Sequence, residues 1–234
     1  MAAAAALQLR GVRKYFGSVS ALEDVRLDAY AGEVHAIVGD NGAGKSTTIK
    51  IVTGIHRADE GEVLVNGGIA VVYQDLALVE CLDIAHNMAL GNLPRRFGIV
   101  LDRRRMEREA AEVLRDLKVR VGNVRTPVGL LSGGQRQVVA VARAVRMDKP
   151  IMLLDEPTAA LGVQETAHVG DIIDELRAAG KAVIIVSHDL DFVFAHADRV
   201  TVLRLGRTVG TRTVADTGRE EIVGMITGAI KGEL

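Results

Sequence analysis

The stretch GDNGAGKST (residues 39–47) follows an apolar run and precedes a helical pattern. It fits G-x-x-x-x-G-K-[ST], in which glycines let backbone N–H groups turn inward around a phosphate. The start of the following helix adds the positive end of its dipole. We expect Lys45 to reach the β- and γ-phosphates of a nucleotide and the Ser46 hydroxyl to ligate Mg²⁺. The other binding residues expected from this stretch are Asn41, Gly42, Gly44 and Thr47.

Length and composition limit the class of protein. The chain has 234 residues, 48% of them hydrophobic, which suits one large domain or one domain with an inserted lobe. A net charge of −1 gives no electrostatic footprint for nucleic acid, so we expect no nucleic-acid partner. The single cysteine, Cys81, excludes an internal disulfide and favours a reducing compartment. No apolar run approaches the ~20 residues of a membrane span, so a soluble, cytoplasmic protein is expected.

Apolar runs typical of buried strands alternate with helical patterns, which predicts an α/β fold with a largely parallel sheet. The segment DRRRMEREAAEVLRDLKV places apolar residues on one helical face, with charges opposite. That face consists of Met106, Ala110, Val113, Leu114 and Leu117. We therefore predict a single domain, with an α/β core at 1–74 and 147–234 and a helical lobe at 75–146.

Two carboxylates end the apolar strand IMLLDE. Paired acids at the end of a buried strand are costly unless they serve a function. We expect Asp155 to hold Mg²⁺, directly or through water, and Glu156 to orient and polarise an attacking water. Phosphoryl transfer needs little more than such positioning and charge stabilisation. The alternative is two solvated acids before Pro157.

Two further strands end in polar side chains. VIIVSH ends in His188, which can hydrogen-bond a γ-phosphate, and AVVYQ ends in Gln74, whose amide can sense Mg²⁺ or water. The alternatives are a structural histidine and an ordinary polar strand terminus.

A second glycine loop, LLSGGQRQ (residues 130–137), lies about ninety residues after the first. It stands at a predicted helix start and is therefore a second candidate anion site. Because it lies far along the chain from Lys45, the phosphate that it meets could come from a partner molecule.

Together these motifs resemble the nucleotide-binding subunit of ABC transporters over essentially the whole chain. The matching pieces are GDNGAGKST, Gln74, LSGGQ, IMLLDE and His188, in that family's order. The resemblance implies ATP and Mg²⁺ as cofactors and a RecA-like P-loop ATPase core with an antiparallel β lobe and an inserted helical lobe. It also implies that Phe16 stacks on adenine; the alternative is a core phenylalanine.

The resemblance further implies that two cassettes pack head to tail as a homodimer, so that the second glycine loop of one caps the ATP of the other. The loop residues concerned are Ser132, Gly133, Gly134 and Gln135. The other implied partners are a transmembrane permease and, indirectly, an extracytoplasmic solute-binding protein. The chain would then be peripheral on the inner face of the cell membrane. VYQDLALVECLDIAHNMALGN and DEPTAALGVQ resemble the ribose/xylose-type branch of sugar importers.

Two rival functions remain at this point. A soluble ABC-type ATPase acting on nucleic acid or ribosomes would be expected to carry coiled-coil insertions, zinc cysteines or basic extensions, and the sequence has none. A regulatory module that binds ATP without hydrolysis is opposed by Glu156, since the candidate base is present.

The sequence departs from the family at two places. Gly162 stands where the family usually has an aspartate that crosses the dimer interface. In LVNGGIAVVYQ, Asn66, Gly67 and Gly68 favour a hairpin. Because a hairpin would remove the strand of Gln74 from the parallel core, we predict that no tight hairpin forms here. We interpret the short connection as a segment missing from the sequence.

Overall fold

The computed structural model describes residues 4–119, 121–159 and 161–230. The strands and helices alternate as predicted, which confirms the α/β class. The strands are β1 (Leu7–Phe16), β2 (Val19–Ala29), β3 (Val34–Val38), β4 (Glu60–Val65), β5 (Ile69–Val72), β6 (Arg95–Arg96), β7 (Val100–Leu101), β8 (Ile151–Asp155), β9 (Ala182–Val186), β10 (Arg199–Arg204) and β11 (Arg207–Thr213). The helices are α1 (Lys45–Val52), α2 (Ile84–Ala89), α3 (Arg103–Asp116), α4 (Gly133–Arg146), α5 (Val163–Ala178), α6 (Leu190–His196) and α7 (Arg219–Thr227).

The chain divides into two compact units. The first comprises residues 1–71, 149–157 and 173–234, and the second comprises 72–148 and 158–172. The segment 158–172, which the sequence analysis grouped with the core, belongs to the second unit.

The first unit is built on a sheet whose strand order is β4-β1-β2-β11-β10-β3-β9-β8-β5 within the described residues. β1 pairs antiparallel with both β2 and β4, whereas β10, β3, β9 and β8 are parallel neighbours. Every residue of β3 and β9 is buried. Strands buried on both faces are typical of a parallel sheet covered by helices.

The second unit is mainly helical, and α2, α3 and α4 pack on one another. Of the five residues predicted for the apolar face of α3, Met106, Ala110 and Leu114 are at most 2% exposed and Leu117, just after the helix, is 8% exposed. Val113 is only half-buried. β6 and β7 form a short hairpin before α3. Among the described residues, no helix is long and apolar enough to cross a membrane.

The connection between β4 and β5 is not a hairpin, which confirms that part of the prediction. Val65 pairs with Leu7 of β1, whereas β5 lies at the opposite edge of the sheet, beside β8. Asn66 binds the N-terminal segment, because its side-chain amide donates to the Ala5 carbonyl at 2.7 Å. Whether residues are missing relative to the family stays a prediction.

Gly67 makes this connection possible, and its replacement tests the geometry. Its φ is +88°, and an added Cβ would lie 2.7 Å from Cγ of Pro150. We expect Gly67→Ala to lower the free energy of unfolding by about 1–3 kcal/mol, the usual range for enforced backbone strain. The measurement is the urea unfolding midpoint. Gly122→Ala is the control, because a Cβ there meets nothing within 4 Å. Equal midpoints for both variants would contradict the geometry.

Candidate functional site

The first glycine loop lies between the buried strand β3 and the helix α1. Gly44 is the N-cap of α1 with φ 104°, a left-handed conformation that glycine adopts without steric cost. A Cβ there would lie 2.6 Å from Cδ2 of Leu22. Within the described part of the chain, no side chain caps α1. Its first N–H groups are therefore suited to an anion.

Lys45 lies inside the curve of this loop. Its Nζ donates to the carbonyl oxygens of Gly39 at 2.7 Å and Asp40 at 3.1 Å. The loop backbone and the ammonium group therefore enclose the same small volume. A phosphate in that volume would meet both a charged donor and backbone N–H groups, which together make the strongest kind of anion contact.

A cavity of about 600 Å³ opens beside the loop. Its walls include Asn41, Gly42, Ser46 and Thr47 from the loop and α1, together with Glu23 from β2. This volume lies within the range of about 300–1,000 Å³ that small-molecule sites occupy. Six of the predicted binding residues line it: Asn41, Gly42, Gly44, Lys45, Ser46 and Thr47.

The carboxylate of Glu156 contacts the ring of His188. Glu156 Oε2 lies 2.8 Å from Nδ1 of His188. With the carboxylate as acceptor, this contact requires the tautomer of His188 that carries its proton on Nδ1. The Glu156 side chain is 12% exposed and that of His188 is 74% exposed, so the carboxylate is shielded while the ring faces solvent.

The backbone at Glu156 is unusual for a residue with a side chain. Its φ is 50°, in the left-handed region, and its N–H donates to the Val186 carbonyl at 2.8 Å. This bond fixes the residue directly beyond β8, where Asp155 pairs with Val186 of β9. Such strain persists where the surroundings enforce it, and it is common at functional sites.

The strand order brings three motifs together. β3, which leads into the glycine loop, is the parallel neighbour of β9, which leads to His188. β9 is in turn the parallel neighbour of β8, which leads to Asp155 and Glu156. The carboxyl ends of adjacent parallel strands meet at one edge of a sheet, where α/β proteins bind ligands.

Phe16 ends β1 and does not line the cavity. Its ring is 45% exposed, so it is not a core phenylalanine. The ring packs edge-on against His56 at 5.3 Å between centroids. Phe16 pairs with Val19, which is a cavity residue. The ring is therefore available at the surface near that wall.

The second glycine loop belongs to the second compact unit and begins α4. Ser132 and Gln135 form a capping box, in which Gln135 N donates to Ser132 Oγ at 3.2 Å and Ser132 N donates to Gln135 Oε1 at 3.1 Å. Gly133 is exposed, and a Cβ there would meet nothing within 4 Å. The helix start is thus capped by side-chain hydrogen bonds, and the space beside Gly133 is open.

Glu165 lies against this loop, a contact that sequence reasoning missed. A Cβ on Gly134 would lie 2.7 Å from Cγ of Glu165, and a Cβ on Gly162 would lie 2.7 Å from Oε2 of the same residue. The Glu165 carboxylate therefore fills the space that a side chain at 162 would need. Its signal in the sequence is an acid in the first turn of α5, which a helix dipole also favours.

Gln74 is exposed and follows β5 by two residues. The loop after it is held by two buried polar residues that sequence reasoning also missed, Asn87 and Arg143. Arg143 could have been noticed as the one charge inside the apolar run VVAVARAV.

Comparisons with known proteins support the same interpretation. The family model described as ABC transporter matches residues 22–159. A putative ribose/galactose/methyl galactoside import ATP-binding protein 2 of Burkholderia cenocepacia is 40% identical over 237 positions, covering 95% of this chain and 46% of its own length. Ribose import ATP-binding protein RbsA 1 of Rubrobacter xylanophilus is 43% identical and is covered over 47% of its length. The chain spans about half the length of the curated relatives it matches.

Solved structures give the same result. The dimeric cassette MJ0796, in a post-hydrolysis state with ADP and Pi, superposes with a TM-score of 0.79 at 27% identity, covering 89% of this chain and 98% of that one. A nucleotide-free cassette from an ABC transporter gives a TM-score of 0.80 at 26% identity, with 95% of each chain covered.

Proposed function

The chain belongs to the ABC transporter family, and from this we propose that it binds and hydrolyses ATP to power a membrane permease. The observation that carries the proposal is the pair of Glu156 and His188 at 2.8 Å, on a strand order that also leads to Lys45. A shielded carboxylate beside a phosphate-binding loop suits the activation of water for attack on a γ-phosphate.

Each of the predicted site residues has a separate role in ATP binding or hydrolysis. Lys45 and the backbone of the first loop bind the β- and γ-phosphates, and Phe16 stacks on adenine. Glu156 accepts a proton from the attacking water or orients it. His188 holds the carboxylate through Nδ1, which leaves its other ring nitrogen for a hydrogen bond to the γ-phosphate. Gln74 senses the water or the metal from the loop after β5.

Mg²⁺ fits the side chains that the chain offers. Within the described residues, no group of three or more His, Cys, Asp or Glu side chains could hold a metal alone. Mg²⁺ commonly binds through one or two carboxylates together with substrate phosphates, and needs no complete protein cage. Asp155 and the Ser46 hydroxyl would hold it, and it would neutralise charge on the phosphates.

A second copy of the chain completes each ATP site. The dimeric MJ0796 cassette with ADP and Pi supports this arrangement. In this chain, Lys45 and Ser132 belong to different compact units, and Ser132 begins a helix that is open at Gly133. ATP bound by one copy would meet Ser132, Gly133, Gly134 and Gln135 of the other. Hydrolysis then releases the contact, since it depends on the γ-phosphate.

We propose sugar import as the transport process, on the inner face of the cell membrane. The relatives at 40–43% identity are named for import of ribose or of ribose, galactose and methyl galactoside. This stretch of sequence spans about half of their length, so two such cassettes would match the length of one relative. A permease would be the direct partner, and an extracytoplasmic solute-binding protein would deliver the sugar.

Lys45→Met tests whether the first loop binds nucleotide. We expect the affinity for ATP to fall about 10- to 100-fold, because a hydrogen bond to a charged group contributes about 1.5–3 kcal/mol. Isothermal titration with ATP and Mg²⁺ measures this. Lys50→Met on the exposed face of the same helix is the control. Unchanged affinity in Lys45→Met would remove the loop from the site. Release of inorganic phosphate by the wild-type chain tests hydrolysis itself.

A further inference from the structure

Arg143 is a buried cation in the middle of α4. Its residue surface is 7% exposed, among neighbours such as Ala142 and Ala144 that are fully buried. Its two terminal nitrogens donate to neighbouring carbonyls, Nη1 to Ala77 at 2.6 Å and Nη2 to Leu76 at 2.8 Å. The planar guanidinium is thus used as a fork that fixes two consecutive peptide groups.

The peptide groups that it holds have an unusual conformation. Leu76 and Ala77 have φ values of 60° and 46°, in the left-handed region that residues with a Cβ normally avoid. One turn bond also supports them, from Leu76 N to the Tyr73 carbonyl at 2.9 Å. The segment starts two residues after Gln74, so its conformation determines the direction in which the chain leaves Gln74.

The far end of the same loop is held by another buried polar side chain. Asn87 is fully buried; its Oδ1 accepts from Val79 N at 2.7 Å, and its Nδ2 donates to the Val79 carbonyl at 3.0 Å. Two side chains from α2 and α4 therefore replace the backbone ladder that this irregular segment lacks. Of the two, Arg143 binds the residues nearer to Gln74 in the sequence, Leu76 and Ala77, and carries the charge.

Burial of this charge carries a desolvation free energy, so good packing alone does not explain an arginine at this position. Burial lowers the pKa of the Arg143 guanidinium, and the nearby Asp75 carboxylate partly opposes that effect. The hydrogen bonds that hold Arg143 go to neutral backbone carbonyls. An aliphatic residue would fill an apolar helix face without this desolvation cost. The retained charge is explained by the geometry that it gives to the loop.

We infer that Arg143 is a positioning residue for ATP hydrolysis, holding the loop after Gln74 to the helix that begins at Ser132. The inference rests on the proposed function, in which Gln74 and Ser132 act on ATP. Arg143 lies eleven positions after Ser132, the N-cap of α4, which is about 16 Å along the helix axis. A force on the Ser132 end of α4 therefore reaches the Gln74 loop through a rigid element.

The test compares two arginines of the same helix in the full chain. Arg146 is the matched control, because it also donates to a carbonyl, that of Met88 at 3.2 Å, and to Glu109 at 2.6 Å. We expect Arg143→Ala to lower kcat for ATP at least about tenfold with KM nearly unchanged, the pattern of a transition-state effect. Arg146→Ala should lose thermal stability but keep kcat. Added guanidinium, far below denaturing concentrations, should restore part of kcat in Arg143→Ala alone.

Two further measurements separate the possible failures. Arg143→Lys keeps the charge but cannot hold both carbonyls as a fork, so its kcat should lie between those of wild type and Arg143→Ala. Hydrogen exchange of the amides at 76–82 should be faster in Arg143→Ala than in Arg146→Ala. Wild-type kcat in Arg143→Ala, or equal exchange in the two variants, overturns the inference. Absence of turnover in the wild type counts against the proposed function instead, and the exchange result then still decides the role of Arg143 in the loop.

Discussion

Glu156→Gln should stop ATP hydrolysis while leaving ATP binding intact. We expect kcat to fall about 10²- to 10⁴-fold, the usual contribution of a general base. The amide keeps the shape of the side chain but loses the carboxylate that faces His188 at 2.8 Å. Because the γ-phosphate persists, the variant should remain a dimer in ATP. Phosphate release gives the rate, and size-exclusion chromatography with ATP gives the oligomeric state.

Glu62→Gln is the control for this variant. Glu62 is an exposed acid on β4, 3.7 Å from Arg10, and its amide should change neither rate nor oligomeric state. A fully active Glu156→Gln would remove Glu156 from the role of base. Loss of ATP binding in the same variant would mean that the Glu156 carboxylate contributes to ATP binding itself and not only to the hydrolysis step.

Ser132→Arg should block turnover and leave ATP binding by a single copy unchanged. The side chain would enter the open start of α4, beside Gly133. Since this loop is proposed to meet the phosphate of another copy, closure would be prevented. We expect kcat to fall about 100-fold or more, comparable to the loss of a preorganised anion donor. ATP titration at low protein concentration measures binding separately from turnover.

Ser132→Arg both adds a bulky side chain and removes the helix cap. Ser132→Ala removes only the cap and therefore separates the two effects. It removes the bond from Gln135 N to Ser132 Oγ and should cost about 1 kcal/mol of stability. Its kcat should therefore stay well above that of Ser132→Arg. If Ser132→Arg instead lowered the affinity of an isolated copy, the second loop would bind ATP within the same chain, and the head-to-tail arrangement would be wrong.

The parts of the site that could be predicted from sequence are those with local chemistry. A glycine loop, a lysine and a helix start form one continuous stretch, so the environment of Lys45 follows from residues 39–47 alone. The ends of the strands could also be predicted from sequence, because a buried apolar run that stops at Asp155 or His188 marks an edge of the sheet. The fold class followed from the same alternation of strands and helices.

Contacts between segments distant in sequence could not be predicted. The position of Glu165 against both Gly134 and Gly162 depends on how α5 meets α4, which no periodicity encodes. The fork of Arg143 requires a backbone with positive φ at Leu76 and Ala77, and neither residue type signals such a conformation. Both are products of tertiary packing that overrides local preference.

The connection at residues 66–68 depends both on local turn chemistry and on contacts between distant segments. Asparagine and glycine locally favour a hairpin, but β4 pairs with β1 and β5 lies beside β8, so no hairpin joins β4 to β5. The aligned relatives carry residues with no counterpart in this chain, since the alignment is longer than the chain. A shortened connection here agrees with that excess, and both of its glycines, Gly67 and Gly68, have positive φ.

The left-handed backbone at Glu156 has a consequence for laboratory evolution. A glycine at this position would adopt φ 50° without steric cost, and relief of such strain is worth roughly 1 kcal/mol. A library screened for heat resistance alone would therefore enrich chains that have lost the carboxylate. Selection for thermostable variants of this protein must include turnover as a second criterion, because at this one position stability and activity favour different residues.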